Sequence, residues 1–457
     1  MAHILDATFL KNAWGTAEAA ALFTDEARFQ RWLDIEAALA KVEAELGVIP
    51  EAAAANIMAC AKLELLDAES IHKNIGDTGH TLVPLLRALE KRCAPGMGEY
   101  IHYGATTQDI MDTGVSLEMR LLWRIIMRDS LKLEASLLAL AGKYRTLPMA
   151  GRTQCQQALP ITLGLKFAGF ACELRRGIER FKTFAASGFP MMMHGATGTL
   201  AGFGPKGEDI LEGVAKELGL AVPPVCWNNA RDVIAEFQTL LGLHAGTLMR
   251  MANTVCTLSH TEICEILEPL DAKKVGSSTM PHKMNPQKSS MAVNLGRIVQ
   301  SNVQLALQGM CVEHERDTRT WRLDLHSIPE SGVMLAKILD SMVFVFGNLV
   351  VNEKAIARNL DMLGGMMLSE SVMFELGKTL GKQTAHHVVG KACAMSGMEP
   401  EKFRENLLAM PEVRGALDAR QLDAILQYDK YIGFAGVEVD KALKFCALRQ
   451  QTDPTLS

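Results

Sequence analysis

Three long stretches, 112–144, 231–267 and 289–311, carry apolar residues at short helical intervals and contain no internal proline. A helix filling the second would reach on the order of 50 Å at about 1.5 Å per residue, well beyond an average globular helix. Rods of that length pack as bundles. Their apolar surface exceeds what one chain covers, so a homo-oligomer with a core shared between subunits is expected.

The rest of the chain fits around these rods. Phe29, Trp32, Leu33, Ile35, Ala38, Leu39 and Val42 recur at three and four spacing until Ile49-Pro50 closes the pattern, so the first segment is helical. Beyond about residue 360 shorter helices are broken by Gly364-Gly365, Gly381, Pro400, Pro411 and Gly433. Alternating patterns are too few for a sheet of any size, and no repeat of fixed period is present. The expectation is an all-α protein of three mainly helical domains, 1–111, 112–360 and 361–457, the middle one a long-helix bundle.

Composition narrows the functional classes. With 457 residues, 48% hydrophobic and 22% charged, the chain can bury a large core. A formal net charge of -5 gives no broad basic field for a polyanion, so nucleic acid is not an expected partner. The N-terminus MAHILDATFLKNAW lacks a basic stretch before an apolar run, and no apolar stretch is long enough to span a bilayer. A cytoplasmic protein that binds no membrane is expected. Ten cysteines, scattered singly without a CxxC pair, suit reduced thiols better than disulfides or zinc. Neither His386-His387 nor the His260, Glu262, Cys264 group has metal-site spacing, so no metal and no cofactor are expected.

Chemistry concentrates at 276–288, GSSTMPHKMNPQK. Gly, two hydroxyls, Lys and Asn lie on a loop that runs into a helix, with Asn285 as N-cap and Pro286 as first helical residue. Such a helix start presents N–H groups and partial positive charge to an anion, with Lys283 beside it. A proton next to an ionised carboxylate is weakly acidic, because its removal places a second negative charge on the same group. Stabilising that dianion is the main task, and pre-placed donors and a cation do it. Lys283 and Asn285 fit that role. Ser277 fits the base, on a segment able to close over substrate, provided N–H groups or cations help it ionise.

GSSTMPHKMNP resembles the signature loop of the fumarase/aspartase superfamily, in its adenylosuccinate lyase and 3-carboxy-cis,cis-muconate cycloisomerase branch. HYGATTQDIMDTG, GRTQCQQALPITLG, GATGTLAGFG, WNNARDVIAEF and HERDTRTW are similar to further segments of that family, in the same order. The resemblance implies a tetramer built on a central bundle, with each site shared by three subunits and a small polycarboxylate as substrate. It also implies Thr106, Thr107, Gln108, Thr153, Gln154, Gln156 and Ser278 as substrate ligands, with His102 as a catalytic group and His80 nearby. Arg319 and Arg322 add basic groups that suit three or more carboxylates. QQALPITLG, RDVIAEF and a tryptophan a few residues after HER look closest to the cycloisomerase branch; Thr318 stands where adenylosuccinate lyases carry tryptophan.

One departure limits the reading. Many members have a histidine after Arg-Thr in the second segment; this chain has Gln154. A glutamine cannot act as a general acid. Cycloisomerisation, whose leaving group is a stable carboxylate, tolerates the change and is the leading expectation. A carbon–nitrogen lyase releasing fumarate would need His102 or His80 as acid. An epimerase of an amino dicarboxylate such as iminodisuccinate would need none. A catalytically inactive structural homologue is the remaining alternative.

Overall fold

The computed structural model describes residues 3–269 and 277–456; Gly276 of the signature loop lies outside them. α1 (Asp25–Glu45) buries Trp32, Leu33, Ile35, Leu39 and Val42 on one face. It precedes the longest rod, α2 (Thr107–Lys143). The chain then forms a hairpin, β1 (Pro148–Thr153) antiparallel to β2 (Gln156–Thr162), and turns back as α3 (Leu163–Ala186). α4 (Asp232–Leu258), α5 (Gln287–Gln308) and α6 (Asp324–Gly347) complete the bundle.

The expected second rod is shorter than the apolar pattern. α4 stops at Leu258, Cys264 takes a left-handed φ of +52°, and β3 (Ile266–Leu267) pairs with β4 (Val350–Val351). Neither glycine nor proline marks that break, and apolar periodicity over a few residues does not separate a buried strand from a helix end. The fold is otherwise all-helical apart from the β1–β2 hairpin, the short β3–β4 pair and an isolated bridge between Pro190 and Ala221, among the described residues.

Side-chain pairs fix the direction of each rod. Arg231 meets Asp112 at 2.6 Å and His244 meets Ser130 at 2.9 Å, so α4 runs parallel to α2. Arg231 also reaches Asp324 at the start of α6, and Gly332 lies where only a missing Cβ lets Leu122 approach. α3 and α5 run the other way: Trp123 Nε1 donates to the Phe181 carbonyl, Arg175 pairs with Glu134, and Ser290 approaches Cys256. The starts of α2, α4 and α6 therefore share one end of the bundle with the finish of α3 and α5. Their finishes share the opposite end with the starts of α3 and α5.

One apolar core runs from α1 through all the rods. A second, built from Val372, Leu376, Val388, Val389, Phe403, Leu407 and neighbours, belongs to α7 (Ser369–Leu380), α8 (Lys382–Ser396) and the short helices that follow. α9 (Ala435–Gln450) leaves that unit and returns Val439 and Cys446 to the bundle core. The 361–457 segment thus divides its apolar residues between two cores. Among the described residues no helix is long and apolar enough to cross a membrane.

Candidate active site

At the first end, α2 begins after Thr106, whose N–H is held by Asp109 at 2.9 Å. Asp109 also accepts the N–H groups of His194 and Gly195 at 2.9 and 3.0 Å, which ties the GATGTLAGFG turn beneath the HYGATT segment. Gly104, at φ +78°, and Gly202 cross so closely that a Cβ on either would strike the other's backbone. Burial pushes the Asp109 carboxyl above its ordinary value despite those three donors. His102, at φ +61°, places Nδ1 2.7 Å from Glu36 Oε1 on α1. Burial alone would lower its imidazole; the Glu36 charge and hydrogen bond, with Asp109 behind, outweigh that and raise it.

Several residues at this end are committed to structure. Gln108, expected as a substrate ligand, is buried, and its amide donates to Asp112 at 2.9 Å and to the Asn228 carbonyl at 2.7 Å; only Oε1 has no partner among the described residues. Trp321 Nε1 donates to Asp112 at 2.9 Å, and Arg231 bridges Asp112 and Asp324. The WNNARD and HERDTRTW motifs thus lock the rods together, with Arg231 only 2% exposed. Breaking such a buried ionic cluster by removing one partner costs about 3–5 kcal/mol.

The basic residues differ from expectation. Arg319 is exposed and already paired with Asp317 at 2.8 Å and Glu313 at 2.7 Å, so its charge is met within its own turn. Arg322 is exposed. Arg316, which the sequence reading passed over, donates to Thr106 Oγ1 at 3.1 Å and to the Ala196 carbonyl at 2.9 Å, while its buried Nε has no partner among the described residues. It stands at the start of a long helix beside two threonines, where a carboxylate would find both donors and dipole. Its place inside HERD next to the polar start of α2 was the available signal. His80 Nδ1 accepts the N–H of Val83, a local cap.

The second end holds the rest. Ser277 Oγ accepts the N–H groups of Met280 at 2.9 Å and Thr279 at 3.3 Å, the donors that help a serine carry negative charge. Ser278, Lys283 and Asn285 are exposed on the same loop. The helix starts at Gln287, with Pro286 as its cap, one residue later than expected. Its first N–H groups are not open to substrate: Lys288 and Ser289 donate to Glu268 at 3.2 and 2.6 Å. The chain's own carboxylate fills the position the sequence reserved for a ligand.

The β1–β2 tip, Thr153 to Gln156, is exposed beside this second end. Gln154 and Cys155 have φ of +50° and +65°, a two-residue turn that favours Asn-Gly. Arg152 below them is clamped to the buried Glu265 at 2.6 Å. Among the described residues, positive φ at non-glycine residues is found at His102, Gln154, Cys155, Leu200 and His314, which lie within the motif segments, and at Cys264, which does not; strain of this kind collects at functional sites.

The expected site residues therefore fall into two groups. His102, Thr106 and Thr107, joined by the unexpected Arg316, mark one end of the bundle, the signature loop and hairpin tip the other, separated by about 40 Å along α4 at about 1.5 Å per residue. Within one chain they do not meet.

The family model described as Lyase matches residues 15–303 and that for the adenylosuccinate lyase C-terminus matches 365–442. The chain belongs to the fumarase/aspartase superfamily. It is 39% identical to N-acetyl-S-(2-succino)cysteine lyase of Enterococcus italicus over 96% of this chain and 97% of that one. The enzyme of the same name from Dickeya dadantii is 38% identical, with 97% of each covered. The crystal structure of 3-carboxy-cis,cis-muconate lactonizing enzyme from Pseudomonas putida superposes with a TM-score of 0.91 at 32% identity, covering 97% of this chain and 100% of that one. The chain is thus an enzyme of the lyase or isomerase type within this superfamily.

Proposed function

We propose that this protein cleaves the carbon–sulfur bond of a thioether between a thiol and succinate, of the S-(2-succino)cysteine type, and releases fumarate. Ser277 removes the proton beside one carboxylate, and the electron pair left on carbon is held as a dianion by Lys283, Asn285 and Ser278. It then forms the double bond of fumarate as the carbon–sulfur bond breaks, with its electrons leaving on sulfur. Thr106, Thr107 and Arg316 hold the other carboxylate, with Thr153, Gln154 and Gln156 at the leaving side.

The observation that carries this reading is Gln154, placed at the hairpin tip where many family members have a histidine. An amine must be protonated to depart, and a glutamine cannot do it. A thiol, with an ordinary pKa near 8.5, departs as thiolate without that help. The similarity to two N-acetyl-S-(2-succino)cysteine lyases supports the same substrate class.

A second reading, cycloisomerisation of a carboxymuconate, also tolerates Gln154 and draws on the likeness to the Pseudomonas putida enzyme. Proton NMR with N-acetyl-S-(2-succino)cysteine, S-(2-succino)cysteine and 3-carboxymuconate separates the two. Fumarate and free thiol in equal amounts are expected. Lactone formation with an inert thioether would overturn the proposal in favour of the second reading.

The two-ended distribution supports a homotetramer in which neighbouring subunits lie with rods reversed, so that one chain's signature loop meets another's His102 and Thr106.

A further inference from the structure

Left-handed backbone costs a non-glycine residue about 1–3 kcal/mol and persists where surroundings over-determine it. At His102 those surroundings are the carboxylates of α1. Glu36 is 1% exposed, bonded through Oε1 to His102, and its Oε2 has no partner among the described residues. Glu43, seven positions along the same helix face, is fully buried with neither oxygen bonded among those residues.

Two buried carboxylates on one face, with a single imidazole to answer them, cannot both ionise cheaply. Burial, then the charge of Glu36, push Glu43 up to about 8. Glu43 thus keeps its proton, and the imidazole is left to Glu36. The charged groups that face His102 are Glu36 on α1 and Asp109 on α2. Asp109 is turned to the N–H groups of Thr106, His194 and Gly195, and Arg316 is bonded to Thr106 and Ala196. With Nδ1 engaged, Nε2 has no hydrogen-bond partner among the described residues.

We infer that Glu36 is a positioning residue, which fixes His102 with Nδ1 inward and keeps it an imidazolium whose Nε2–H binds a substrate carboxylate. His102 is then an anion anchor and does not protonate the leaving atom, which deepens the proposed thioether cleavage and rests on it for the anion's identity.

Two measurements test this separately. Histidine labelled with 13C at Cε1 gives the His102 titration by NMR in the intact enzyme, its resonance identified with His102→Asn. In Glu36→Gln the midpoint is expected to fall by about one pH unit or more, and Glu36→Asp to recover part of it. In the thioether assay, Glu36→Gln is expected to raise KM about tenfold and change kcat less than threefold, with the alkaline limb of kcat/KM moving down by the same interval. Glu43→Gln serves as a control and leaves the midpoint in place. An unchanged midpoint in Glu36→Gln overturns the inference. Inactivity of the parent enzyme on every thioether overturns the proposed function, while the NMR titration still decides the role of Glu36.

Discussion

The amide N–H of Met280 points at Ser277 Oγ across 2.9 Å. With the Thr279 N–H it gives the hydroxyl two donors from its own turn, which in the proposed base role would supply part of the charge stabilisation before any substrate arrives.

Ser277→Ala removes the proposed base and leaves the turn geometry free to relax. Turnover of the preferred thioether is expected to fall by about 10²–10⁴-fold, with an unchanged melting temperature, because the loop is exposed. Steady-state kinetics beside a thermal melt check this; retention of more than a tenth of the activity would remove Ser277 from the base role.

Subunit mixing tests the separation of the two ends. Ser277→Ala and His102→Asn chains, each poorly active alone, should regain activity when unfolded together and refolded. If each site draws the two residues from different subunits, random mixing restores both in about a quarter of the sites. No gain over the separate variants would place the two residues in one chain's site, against the geometry of the rods.

Glu43 gives stability a pH dependence of known sign. The folded protein holds that proton up to about 8, while an unfolded chain releases it near the ordinary glutamate value, about 4.3. Between those values the folded state binds more protons, so stability is whole below the window and declines as pH rises through it. Glu43→Gln should melt with the parent at about pH 4 and several degrees above it at about pH 8.5. Equal melting temperatures across the range would show that Glu43 finds a partner the described residues do not include.

The hairpin tip sets stability against activity. Replacing Gln154-Cys155 by Asn-Gly suits φ values of +50° and +65° and should raise the melting temperature. The same change removes the Gln154 amide from the leaving side and should lower kcat/KM about tenfold or more. Melting and kinetics on the double variant give both numbers; higher stability with full activity would assign Gln154 no part in the reaction.

Much of this was readable from residues alone. Proline-free apolar stretches announced the rods, and the signature loop with the motif segments around it announced the superfamily. What the sequence hid were pairings across long separations. Nothing local says that Glu268 caps the helix at 287, that Asp112 takes up Arg231, or that Arg316 sits on Thr106. The break after Leu258 was equally invisible, since Cys264 adopts a backbone that sequence patterns assign to glycine or asparagine.

The opposed ends of the bundle turn α4 into a ruler. One residue inserted anywhere along it would push everything beyond by about 1.5 Å and swing it by about 100°, moving the signature loop off the register that the proposed tetramer gives it with a neighbouring chain's α2. In that proposed assembly drift is free to change side chains along the rods but not to change their count, and a lengthened rod would have to be matched by its partners in the same step.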